Sequence, residues 1–141
     1  MGSEDEVHAA SGKFYAALNR MLNGDASGMG DIWSHGDRVT TMHPIGGRQV
    51  GWEAVKQSWE QVAGATSGGQ VTLSDQLIHV VGEAAYEIGV EHGRFTLAGQ
   101  QVTGDCRVTN VYRRESAGWK IVHHHTDTAQ SMIDALSKAG A

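Results

Sequence analysis

Between residues 70 and 127 the sequence alternates long β-forming runs with short turn signals, and this pattern leaves few folds open to the chain. The runs cover 70–81, 84–97, 101–114 and 119–127, separated by Gly82-Glu83, Ala98-Gly99-Gln100 and Glu115-Ser116-Ala117-Gly118. None of these intervals can hold a helical crossover, so successive runs must pair as antiparallel hairpins. Strands this long twist, and the glycines inside them permit bulges, so the sheet is expected to curve strongly. A curved sheet needs cover on one face, and the first half of the chain supplies helices for it. Val7, Ala10, Phe14, Ala17, Leu18, Met21 and Leu22 recur at helical spacing over 4–23, and Ser3 with Glu6 has the form of a capping box. A short helical turn through Met29, Ile32 and Trp33 follows, then a strand over 39–43 closed by Pro44, then a helix through Trp52, Val55, Trp59 and Val62. Asp127 or Thr128 caps a last amphipathic helix carrying Met132, Ile133 and Leu136. The order predicts an α+β fold: a cone-shaped, mostly antiparallel sheet with N-terminal helices packed on its concave face, one domain over 1–141.

Composition narrows the function. A chain of 141 residues has room for one hydrophobic core and no second catalytic domain. A net charge of −5 argues against nucleic acid, which is bound through clustered Lys and Arg. No apolar run is long enough to span a bilayer, and the acidic N-terminus is unlike a signal peptide, so no membrane partner is expected. The single cysteine, Cys106, has no intrachain partner for a disulfide, which points to a reducing cytoplasm and a small core residue. Gly46-Gly47 and Gly68-Gly69 lack the spacing of a phosphate-binding loop.

Strand periodicity then sorts the polar residues by face. Period-two alternation puts Tyr86, Ile88 and Val90 with Cys106, Val108, Asn110 and Tyr112, and with Val122, His124 and Thr126, on the side the helices cover. Trp52 or Trp59 can reach the same side from its helix, with Trp59 expected in the pocket lining. This makes an apolar pocket in which Asn110 and His124 are isolated polar groups, either paired with each other or facing a ligand. Thr109, Val111, Trp119, Ile121, His123, His125 and Asp127 take the reverse face, where large apolar side chains call for a second subunit as cover. His123 and His125 are two neighbours on a strand and not a metal site, so their expected role is hydrogen bonding at that interface.

The order of elements, the passage from Val39 through Pro44 to Val62, and Val111-Tyr112-Arg113-Arg114 followed by Trp119-Lys120-Ile121-Val122-His123-His124-His125 resemble the SnoaL-like branch of the nuclear transport factor 2 and ketosteroid isomerase superfamily. The ending also resembles the association domain of calcium/calmodulin-dependent protein kinase II. The resemblance implies a cystatin-like roll, commonly dimerised through the open sheet face, and work without metal or other cofactor. It also sets His43 at the place of the isomerase's general-base aspartate, and imidazole can abstract a proton at neutral pH. Where that isomerase keeps an oxyanion tyrosine stands Ala17, with Tyr15 two positions away and so on another face, which disfavours steroid isomerisation. The expected function is binding of a small apolar molecule bearing a carbonyl or carboxylate. Isomerisation, dehydration or cyclisation would use His43 as base, with His124 and Asn110 orienting or polarising a carbonyl. The alternative is a non-catalytic association or ligand-sensing domain, in which Trp59 and Tyr112 fill the pocket.

Overall fold

A computed structural model describes residues 2–140. The elements run α1 (Ser3–Met21), α2 (Met29–Ile32), β1 (Thr40–Met42), β2 (Gln49–Val50), α3 (Trp52–Ala65), β3 (Thr66–Val81), β4 (Ala84–Leu97), β5 (Gln100–Glu115), β6 (Gly118–Thr126) and α4 (Gln130–Gly140). They form one six-stranded sheet in the order β2-β1-β6-β5-β4-β3. All neighbours are antiparallel except β1 and β6, which lie parallel, with Thr41 opposite His124. The α+β architecture is that read from the sequence, and so is the element order except for β2, a two-residue strand on β1 that the sequence reading left in the segment between Pro44 and α3. The capping box is absent: Gly2 is the N-cap of α1 without a side-chain bond, and the Ser3 hydroxyl accepts from Arg114 Nη2 at 2.6 Å.

The core forms where the apolar stripes of α1 and α3 meet the sheet. Val7, Phe14 and Met21 of α1 and Val55 and Trp59 of α3 are at most 2% exposed. Phe14 and Trp59 meet edge-to-face at 6.1 Å, which fixes the separation of the two helices over the sheet. The end of α1 comes so close to β3 that a Cβ at Gly69 would lie 2.5 Å from Leu22 Cβ. Glycine is required there by proximity.

Two local geometries overturn the face assignment. The β4–β5 turn has two residues, Ala98 and Gly99, both with positive φ (50° and 81°), which is the mirror-image turn that suits a twisted hairpin. It pairs Leu97 with Gln100, where a turn of three residues would pair Leu97 with Gln101. That single residue reverses every side chain of β4 relative to β5. Glu87 therefore sits opposite Asn110, and Glu91 opposite Cys106, on the covered side. Tyr86 and Ile88 are 41% and 40% exposed on the outer face, beside Val111 and Thr109, and Val90 follows them. These three do not line the pocket.

The second geometry is a bulge in β6. Val111 pairs with His123 and Tyr112 with Ile121, so Val122 is the extra residue. The alternation flips there. Trp119 (5% exposed) and Ile121 (0%) face the core together with His124, while His123 and His125 face out. Trp119 and Ile121 are thus not on an open sheet face waiting for a second subunit.

Candidate functional site

α1, α3, the loop after β1, the inner face of β3–β6 and the start of α4 enclose a cavity of about 70 Å³. Its walls are mostly apolar, with Leu18, Met21, Trp59, Phe95, Val102 and Met132 among them. Three titratable side chains besides Cys106 enter this lining: His43, His124 and Glu91.

His43 follows β1 directly, and Pro44 with the turn closed by Gly46 N–H on His43 C=O holds it at the strand end. Its Nε2 lies 2.9 Å from Ser58 Oγ, and Ser58 gives its own hydroxyl proton to Val55 C=O at 2.6 Å. The hydroxyl can therefore only accept from the ring, so Nε2 carries the hydrogen and Nδ1 keeps the lone pair. Burial, with no carboxylate partner, pushes the imidazole down to about 4. At neutral pH His43 is an uncharged proton acceptor.

His124 is held by a longer chain of bonds. Glu87, fully buried, accepts from Asn110 Nδ2 (3.0 Å) and the Tyr112 hydroxyl (2.7 Å) on Oε1, and from Ser11 and Gln76 (2.6 Å each) on Oε2. The other Asn110 Nδ2 hydrogen goes to the Tyr15 oxygen at 3.1 Å. With its NH₂ group so placed, Asn110 presents Oδ1 to His124 Nδ1 at 2.6 Å, so His124 donates from Nδ1 and keeps its lone pair on Nε2. Burial first, then neighbouring His43, holds its pKa well below the ordinary range. The rings of His43 and His124 lie 6.4 Å apart, and Trp59 approaches both, at 4.5 and 5.6 Å.

Glu91 is 8% exposed and accepts the Tyr15 hydroxyl on Oε2 at 2.8 Å. Burial, reinforced by nearby Glu87, pushes its carboxyl up to about 7. Tyr15 thus reaches the interior despite its offset from Ala17, because a tyrosine on the flank of α1 is long enough to bring its hydroxyl under the helix.

Of the expected site residues, His43, His124 and Trp59 line the cavity. Asn110 and Tyr112 are spent in the network around Glu87, and Val108 and Thr126 are buried outside the cavity lining. Val122 is the half-buried bulge residue. Periodicity could not find Glu87 and Glu91, because two carboxylates in a strand read as its wet face; counting pairs from a two-residue β4–β5 turn would have found them. On the outer face His123 Nδ1 bonds to Thr40 Oγ1 at 2.6 Å, and Asp127 pairs with Arg107 at 2.8 Å. Among the described residues no three His, Cys, Asp or Glu side chains are placed to share a metal ion. No helix among them is long and apolar enough to cross a membrane.

The model of the SnoaL-like domain matches residues 7–129. Among solved structures, a "putative dehydratase" of the NTF2-like family from Streptomyces avermitilis is 27% identical, with 89% of this chain and 95% of that one covered at a TM-score of 0.79. A "putative calcium/calmodulin-dependent protein kinase type II association domain" from Thiobacillus denitrificans is 29% identical over 87% of this chain and 94% of that one, at a TM-score of 0.62. A protein with a cystatin-like fold from Caulobacter vibrioides is 15% identical over 97% and 96%, at 0.75. No curated protein matches the sequence. With the helix-covered curved sheet, the cavity under it and a family model spanning nearly the whole chain, this protein belongs to the SnoaL-like family of nuclear transport factor 2-like folds.

Proposed function

We propose that the protein takes a small, largely apolar organic molecule into the cavity and moves a proton on it without a cofactor, as in isomerisation, dehydration or cyclisation. The observation that carries this reading is the pair of buried, uncharged imidazoles on one cavity, each with its N–H tied to a protein acceptor and one nitrogen left as a base. His43 is the base, and His124, locked by Asn110, is the second acceptor that orients the ligand. The dehydratase-named relative supports the reaction class. The association-domain alternative receives less support, since Tyr112 is committed to Glu87 away from the cavity and Trp59 forms a wall of it.

The same reading includes a homodimer and, given a lone buried thiol, a cytoplasmic setting. The dimer face is redrawn: Tyr86, Ile88 and Leu77 (41%, 40% and 49% exposed), flanked by Thr109, Val111 and His123, form the apolar outer surface in place of Trp119 and Ile121.

The test is magnetic-resonance titration of the imidazole protons with acetophenone, an uncharged ligand, in the native protein and in His43→Ala and His124→Ala. Both rings are expected to stay neutral through the range in which free imidazole titrates and to shift on ligand addition. Ordinary imidazole titration, with no response to the probe, would sink the proposal.

A further inference from the structure

Hydrogen-bond accounting leaves the cavity short of a proton donor. In their neutral forms His43 donates to Ser58 and His124 to Asn110, so neither ring can donate to a ligand oxygen. Both Asn110 N–H bonds are used, by Glu87 and Tyr15, and the Tyr15 hydroxyl is given to Glu91. The Trp59 indole N–H has no partner but is itself buried away from open space. Cys106 offers only a weak S–H donor, and Ser131 is exposed on α4. The strong donor buried in the wall itself is Glu91 in its protonated form, more than nine-tenths buried, with Oε2 engaged by Tyr15 and Oε1 without a protein partner among the described residues. Among the described residues no Lys or Arg lines the cavity, so a ligand carboxylate would meet no cation there and two buried carboxyl groups, Glu91 on the wall and Glu87 behind it.

We propose that Glu91 is the acid partner of the histidines: it donates its carboxyl proton to the carbonyl oxygen of an uncharged ligand, and the site selects neutral ketones or aldehydes over organic anions. This rests on the proton-transfer reading above and supplies the group it lacked, in place of Asn110 and His124. In the step itself, His43 Nδ1 takes a proton from the carbon beside the carbonyl. The electron pair of that C–H bond becomes a C=C bond, the C=O π pair forms an O–H bond with the Glu91 proton, and an enol results. His43 ends as imidazolium and Glu91 as carboxylate, with no electron gained or lost overall, and reprotonation of carbon reverses the flow. Buried in the cavity wall, Glu91 holds its proton near neutral pH, which suits an acid working there. The groups facing it give no counter-charge: Tyr15 from α1, Glu87 on its own strand, the Cys106 thiol on β5, which is pushed up to about 11, and the neutral rings of His124 from β6 and His43 after β1.

The probe is acetophenone in D₂O, with exchange of its methyl protons for deuterium read by magnetic resonance, and benzoate as the anion of similar size. The native protein is expected to accelerate exchange, with activity falling as pH rises through about 7. Glu91→Gln should lower the rate about a hundredfold, the ordinary worth of one general acid, and remove that alkaline limb. Benzoate should bind at least about tenfold more weakly than acetophenone, and Glu91→Gln should narrow the gap. In the native protein, ¹³C-labelled glutamate should show Glu91 titrating near pH 7 and moving upward with acetophenone bound, a readout that holds even if the variant does not fold. Shifts of both histidines with unchanged exchange in Glu91→Gln, or with Glu91 titrating as an ordinary carboxylate, overturn this assignment and leave the pocket reading intact. Silence of all three groups toward acetophenone overturns both, and benzoate binding as tightly as acetophenone overturns the selectivity.

Discussion

Glu87 is the residue on which the interior most depends. It lies outside the lining of the cavity, yet Ser11, Gln76, Asn110 and Tyr112 all donate to it, and Asn110 in turn fixes the tautomer of His124. Removing it strands several buried donors at once, so Glu87→Ala should cost at least about 3 kcal/mol in urea denaturation, against about 1 kcal/mol for Tyr112→Phe, which removes one donor of the set. Equal costs would mean that the network is not cooperative. His43 and Glu91 give opposite pH dependences. His43 falls from an ordinary 6.5 to about 4 on folding, so below pH 6.5 the unfolded chain binds the extra proton and stability drops as pH falls toward 4. Glu91 rises from 4.5 to about 7, so its contribution is whole below pH 4.5 and is lost as pH rises through 7. Each slope approaches about 1.4 kcal/mol per pH unit inside its window, and the two oppose each other between about pH 4.5 and 6.5. Glu91→Gln should therefore steepen the acid loss of stability, and His43→Phe should soften it. Denaturant midpoints measured from pH 4 to 8 decide this, and parallel curves for native protein and Glu91→Gln would contradict a buried, proton-holding carboxyl.

At the scale of elements, one extra residue in β6 and one fewer in the β4–β5 turn decide which side chains meet. The Val122 bulge lets Trp119 and Ile121 fill the core while His124 still points inward. Deleting Val122 would restore plain alternation and force either the tryptophan–isoleucine pair or His124 outward, so the variant should fail to fold or lose more than about 4 kcal/mol. A folded deletion variant with an unchanged histidine spectrum would refute the role given to the bulge. The strand segments and helices themselves were legible from residue types: β-branched runs with turn residues between them, and apolar spacing along α1 and α3. What was not legible was parity. Tyr86, Ile88 and Val90 alternate as a buried face should, but a two-residue turn places them outside and brings Glu87 and Glu91 within.

For the whole molecule, the outward parity of Tyr86 and Ile88 leaves an apolar sheet face of the kind that a monomer seldom exposes. Sedimentation at micromolar concentration should show a dimer. Ile88→Glu should yield a folded monomer, because the charge lands on a surface that is accessible in one chain. Ile121→Glu should instead destabilise the chain itself, since Ile121 has no exposed area. A native monomer, or a dimer indifferent to Ile88→Glu, would move the interface elsewhere.

By itself the sequence determined the class of fold, the order of its elements apart from β2, and the candidacy of His43 and His124. The fold class and element order follow from local preferences that hold wherever a segment ends up, periodicity and turn chemistry, and His124 from strand alternation beside apolar neighbours; His43 follows from the place the family resemblance gives it. Only the tertiary structure decided which face each strand presents and which polar groups share the interior. Register over many residues hangs on the length of a turn and the position of a bulge, each a change of one residue with little local signature. The acid–base set of the cavity is therefore a tertiary property: Glu91 differs from a solvated strand carboxylate because the fold buries it away from water and sets the Glu87 carboxyl nearby.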